Sequence, residues 1–187
     1  PGGVPGQQRA MTMLVELDMM AHVFPELLEG RGIGQRPEYH AYDVLTHNIA
    51  SCGWARPDFA VRLAALLHDV GQARAMAENG RMPYHDAIGA DMAEAMLLRL
   101  KAPKKLVKRV ALLVRHHMLD LDENAKTSTL RKHFARLGPE ATRQLADLRE
   151  ADVLGPGMQT PPVATRPRFL SVRGGRSAAR ARPSPAA

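Results

Sequence analysis

The sequence predicts an all-α helical bundle followed by a disordered C-terminal tail. Three observations lead there: apolar residues recur at helical spacing up to Gly155, no segment sustains the apolar–polar alternation of a strand, and the composition changes abruptly after Gly155. With 187 residues, 45% hydrophobic and 24% charged, the chain suits one packed domain plus a tail. Aromatics are only 4% while methionines number ten, so the expected core is built from Leu, Ala, Val and Met.

From Arg9 to Glu29 the apolar residues Met13, Leu14, Leu17, Met20, Ala21 and Phe24 fall at helical spacing, which gives one helix and, past Pro25, a short second turn. A loop rich in Gly and Pro leads into "AYDVLTHNIASCGWA", where Val44, Leu45, Ile49 and Cys52 share a face of a helix carrying His47. Pro57 and Asp58 suit the start of the next helix, "FAVRLAALLHDVG", with Gly71 as its stop. "QARAMAENGRMPYH" reads as a loop around the turn dipeptide Asn79-Gly80. Four more helices follow, over residues 86–101, 103–121, 127–138 and 139–155. Pro103 and Pro139 stand near starts, and Thr127 or Ser128 serves as a cap. Residues 156–187, rich in Pro, Arg, Ala, Gly and Ser, lack periodicity and are expected to be disordered.

Several classes are excluded. Cys52 is the only cysteine, so no intrachain disulfide and no Cys-based zinc site can form, and a reducing, cytoplasmic setting is expected. No stretch approaches about 18 uninterrupted apolar residues, so no membrane span is expected. The start "PGGVPGQQ" lacks the pattern of a signal peptide and opens on Pro, as expected of a fragment or a trimmed chain. The net charge of +7 hints at a polyanionic partner, although several arginines sit in the tail.

Of eight histidines, His47, His68, His85, His116 and His117 could converge, and with Asp69 and Asp152 they read H…HD…H…HH…D. Imidazole nitrogens and carboxylate oxygens hold divalent ions where no thiolate is present. A carboxylate such as Asp69 can bridge two metals, and such a pair activates water while clamping a phosphoryl oxygen. Helical spacing puts His117 rather than His116 beside the apolar stripe, by a margin of one residue, so both remain candidates.

The order His47, His68-Asp69, Asp152 resembles the HD superfamily of metal-dependent phosphohydrolases. "YHAYDVLTH", "VRLAALLHDVG", "ENGRMPYHDAIGADMA", "VRHHM" and "LADLREADVLG" are similar, in order and spacing, to the HD domain of bacterial tRNA nucleotidyltransferases, and "LVELDMMAHVFPEL" resembles the linker helices before it. The resemblance covers residues 9 to 155 and implies linker helices over 1–38 and an HD domain over 39–155, while composition sets apart the tail over 156–187. It implies that His47, His68, Asp69 and Asp152 are metal ligands, with His85, His117 and His116 matching positions that complete a second site. Asp147 lacks the "EAD" context of Asp152, and His22, His40 and His133 are taken as surface or structural.

What the resemblance implies functionally is a divalent-metal phosphohydrolase, holding one or two ions of Ni, Mn, Mg, Co, Fe or Zn. Asp69, His68 and Asp152 carry the catalysis, on a nucleotide or an RNA-terminal phosphate. Arg74, Arg81, Lys104, Lys105 and Arg115 are candidate phosphate-holding residues. The alternative is a non-catalytic module that positions RNA, with tRNA as partner, through "PKKLVKRVALLVR" and "RKHFAR". Two departures stand out: Gln72 follows Gly71 where the family commonly has a lysine, and no Gly-Ser segment followed by Asp-x-Asp occurs. The chain alone is therefore not expected to add nucleotides to tRNA, and its ends suggest a piece of a longer gene product. The sequence is silent on the oligomeric state.

Overall fold

The computed structural model describes residues 6–34, 42–119 and 126–155, and those residues form ten helices with no strand beyond a single antiparallel bridge between Gly34 and Asp43. In chain order the helices are α1 (Gly6–Glu16), α2 (Met20–Val23), α3 (Pro25–Leu28), α4 (Val44–Trp54), α5 (Phe59–Leu67), α6 (Gln72–Asn79), α7 (His85–Arg99), α8 (Lys104–Arg115), α9 (Thr127–Leu137) and α10 (Pro139–Leu154). Among the described residues no helix is long and apolar enough to cross a membrane.

Helix α5 is the central element, packed against α4, α8 and α10. Its Val61, Ala64, Ala65, Leu66 and Leu67 are all buried, which is what an apolar run bounded by polar groups achieves when helices surround it. Asp58 caps it: Oδ1 accepts from the amides of Ala60 and Val61, and Oδ2 accepts from the Gln144 side chain of α10 at 2.9 Å. Asp43 does the same for α4, with Oδ1 accepting from Thr46 N and Oδ2 from Gly32 N. Helix α8 buries Val107, Val110, Ala111, Leu113 and Val114, turns its lysines outward, and packs most extensively on α7. Met20, Phe24 and Leu27 from α2 and α3 share the same core with Leu45, Leu67, Met96 and Leu148.

The structure departs from the sequence reading in five places, the last of them at Gly71. The segment from Arg9 to Glu29 breaks at Leu17–Met19 as well as at Pro25, with Asp18 in the left-handed region at φ 58°. The expected loop over 72–85 contains helix α6. Its Asn79-Gly80 pair ends a helix rather than turning a loop: Gly80, at φ 67°, donates its N–H to Met76 O. The cap of α9 is Lys126, without a side-chain bond, instead of Thr127 or Ser128. Helix α8 ends at Arg115, well before Leu121. The tail, residues 156–187, and His40 lie outside the described residues.

Gly71 does not stop α5, which ends four residues earlier at Leu67, and its φ of −76° suits any residue. Its need for glycine is steric. A Cβ there would run into the His85 carbonyl oxygen and lie 2.6 Å from Gly89 N, so the turn after α5 touches the first turns of α7 backbone to backbone. A similar approach occurs at Gly155, where a Cβ would strike Ser51 of α4.

Because the obstacle at Gly71 is main chain on both sides, Gly71→Ala is expected to destabilise the fold by about 2–3 kcal/mol. Gly80→Ala, which faces open space and meets only backbone strain, should cost about 1 kcal/mol. Urea unfolding midpoints check this, and equal shifts for the two would contradict the steric account.

Candidate metal centre

Five segments end at one point. His47 lies in the first turns of α4, His68 and Asp69 in the turn after α5, His85 at the first position of α7, His117 in the turn after α8, and Asp152 in the last turn of α10. The Asp69 carboxylate stands between two imidazole pairs. Its Oδ1 lies 3.4 Å from His85 Nε2 and 3.5 Å from His117 Nε2, and its Oδ2 lies 3.7 Å from His47 Nε2 and 3.5 Å from His68 Nε2. Asp152 Oδ1 closes the second pair, at 3.1 Å from His47 Nε2 and 3.4 Å from His68 Nε2. His47, His68 and Asp69 form one group with ligand atoms mutually within 4.8 Å, and Asp69, His85 and His117 form another.

The backbone fixes the tautomers. His68 Nδ1 lies 2.9 Å from Ala65 O, His85 Nδ1 2.9 Å from Met82 O, and His117 Nδ1 2.6 Å from Val114 O. A carbonyl only accepts, so in each ring Nδ1 carries the proton, and the neutral imidazole presents its Nε2 lone pair to the cluster. With both rings neutral, the Nε2 atoms of His85 and His117, 3.3 Å apart, would face each other lone pair to lone pair. His47 and His68 meet Nε2 to Nε2 at 3.1 Å, beside two carboxylates. Lone pairs gathered this closely in a buried site require a cation, either protons or metal ions. Nitrogen and oxygen donors without thiolate, rings oriented by carbonyls, and a shared carboxylate fit divalent metals.

The electrostatics follow from the same contacts. Burial alone would lower the His68 pKa, but Asp69 beside it and the Asp152 contact push it up to about 9. Burial likewise opposes charge at His85, and Asp69 overcomes it, raising that pKa. For Asp69 and Asp152 burial acts upward, yet the imidazoles (His68, His117 and His85 around the first, His47 and His68 around the second) hold both well below the usual carboxylate range. Burial pushes the Cys52 thiol up to about 11, outweighing the opposite pull of Arg62.

Of the seven residues singled out by sequence, six meet here. The seventh, His116, points away from the cluster and stacks edge-on against His133, with ring centroids 5.0 Å apart. Asp147 also lies off the site, paired with Arg56 and Arg143. Arg74 is engaged by Glu29 and Arg115 by Asp91, while Arg81, Lys104 and Lys105 are exposed. His22 is exposed. The sequence reading passed over Arg149, whose guanidinium sits on Asp152 Oδ2. The available signal was its place three residues before Asp152 on one helix.

An all-helical bundle whose helix ends deliver a His-Asp doublet and further imidazoles to one buried point defines a class of metal-site domains. Residues 49–156 match the family model described as the HD domain, so the chain belongs to the HD domain family. It is similar to the A-adding tRNA nucleotidyltransferase of Deinococcus radiodurans, 38% identical over 127 residues, covering 63% of this chain and 29% of that protein. It is also similar to the CC-adding tRNA nucleotidyltransferase of Thermus thermophilus, 36% identical over 67% of this chain and 31% of that protein. With the Multifunctional CCA protein of Hahella chejuensis it shares 30% identity, over 76% and 36%. The chain thus spans about a third of the length of the curated relatives it matches.

Protons and metal ions compete for the same lone pairs, and that gives a pH dependence. The His68 pKa is raised from 6.5 to about 9 in the fold, so without metal its stabilising charge is fully present below pH 6.5 and lost as the pH rises through about 9. Melting temperatures in chelator should therefore fall across that window. Added Mn or Ni should bind more tightly toward its upper end, widening the gap between loaded and chelated melts. A gap independent of pH would contradict this assignment.

Proposed function

We propose that this centre is a divalent-metal-dependent phosphohydrolase site, acting on a nucleotide or on an RNA-terminal phosphate such as a 2′,3′-cyclic ester. The observation that carries the reading is that Asp69 offers one oxygen to each imidazole pair, the arrangement expected of a carboxylate shared by two ions. His47, His68, Asp152 and Asp69 Oδ2 would hold one ion, and His85, His117 and Asp69 Oδ1 the other. Bound divalent ions supply Lewis acidity toward a phosphoryl oxygen and lower the pKa of water. The protein's own part is orientation and exclusion. The Nδ1–carbonyl bonds lock three rings, burial of the histidines keeps bulk water from the donors, and Asp152, with a side chain 14% exposed, would orient an incoming water.

A second reading draws on a separate observation. From Lys101 to Leu119 and across α9 there is no acidic residue, and Lys104, Lys105, Lys108, Arg131, Lys132 and Arg136 are all exposed. The His116–His133 ring contact joins α8 to α9, so these cations lie on neighbouring helices. In this reading the domain positions tRNA within a tRNA-processing enzyme such as the relatives' names describe, by phosphate contacts that weaken steeply with salt.

Hydrolysis of bis-p-nitrophenyl phosphate and of 2′,3′-cAMP, with Ni, Mn or Mg added, separates the two. The wild-type chain should show metal-dependent turnover and Asp69→Ala should lose it by at least about 100-fold. Absence of turnover, alongside salt-sensitive tRNA binding that survives the substitution, would replace the hydrolase by the positioning module.

A further inference from the structure

We propose that Arg149 is the phosphate-binding residue of this centre, its guanidinium held on Asp152 and positioned to take a phosphoryl oxygen of the substrate. The proposal rests on the phosphohydrolase reading and adds the residue that recognises the substrate's charge.

Four observations combine. Arg149 Nη1 donates to Asp152 Oδ2 at 2.5 Å, while the other oxygen of that carboxylate faces His47 and His68, so one side chain separates the guanidinium from the imidazole cluster. Exposure is greatest at this edge: the side chains of His47, His68, His117 and Asp69 are 0, 1, 3 and 6% exposed and that of His85 10%, against 14% for Asp152 and 24% for Arg149. Arg149 is a cation held directly on a member of the cluster, whereas Arg56, Arg74, Arg99, Arg109, Arg115 and Arg143 pair with carboxylates outside it. At the start of α6, next to the turn that carries His68 and Asp69, the side chain is the neutral Gln72.

Chemistry selects phosphate. A guanidinium has five N–H donors in a planar fork, and its contact with Asp152 employs one nitrogen, so a tetrahedral oxyanion can be gripped by the rest. A guanidinium at the mouth, facing a cation-binding interior, suits an anion that must touch both.

Arg149→Gln and Arg149→Lys, each loaded with Mn, provide the test, with bound metal measured directly and inorganic phosphate binding measured by calorimetry. In Arg149→Gln the metal content should equal that of wild type, and phosphate affinity should fall roughly 10- to 100-fold, with KM for bis-p-nitrophenyl phosphate rising in parallel and kcat changing less. Arg149→Lys should fall between. Wild-type phosphate affinity in Arg149→Gln would overturn the proposal even if hydrolysis proceeds. So would loss of metal together with phosphate in both variants, which would make Arg149 only a support for Asp152. Arg149-dependent phosphate binding in a chain that hydrolyses nothing would uphold the assignment and sink the hydrolase reading instead.

Discussion

The Asp69 carboxylate, buried and faced by four imidazoles, is the constraint around which the rest of the bundle is arranged. An ionised carboxylate at that depth is costly unless surrounded by positive charge, and a neutral imidazole with its lone pair inward makes matters worse. The centre is therefore stable only when something cationic occupies it. Protons on His68 and His85 meet that need in one state, and metal ions are suited to meet it in another. Helix α5 is where it is because its end must carry the doublet into the middle of the molecule.

Backbone contact, rather than side-chain fit, sets the distances between the two imidazole pairs. The turn bearing His68 and Asp69 reaches His85 only because Gly71 and Gly89 let main chains touch. Asp152 reaches His47 because α10 ends on Gly155 against Ser51. Glycines at these crossings do for the site what large side chains do for a core: they leave one permitted spacing.

Much of this was legible in the sequence, unevenly. The apolar period of "FAVRLAALL" and "KKLVKRVALLV" marked buried helices well, because packing on one face writes itself into spacing. Helix α6 escaped because "QARAMAEN" is short and mostly polar and its Asn-Gly pair is also a turn signal. Gly71 was seen for the wrong reason, since a stop glycine and a crossing glycine look alike until the partner chain segment is known. Which histidines belong together came mainly from the order of residues that the family shares; spacing added only the preference for His117 over His116, by the one-residue margin expected of a residue that falls in the turn beyond α8. Arg149 resembled any surface charge on a helix, and its role emerges only once Asp152 is placed.

His47 and Asp152 stand 105 residues apart in the chain yet touch through their polar atoms. Closing so long a loop gives little reward until both ends are in position, so this pairing belongs among the late events of folding. An ion held between α4 and α10 would then act as a clasp on the finished topology. α10 could not peel from α4 without surrendering it, and the affinity of a small site would become resistance to unfolding for the whole bundle.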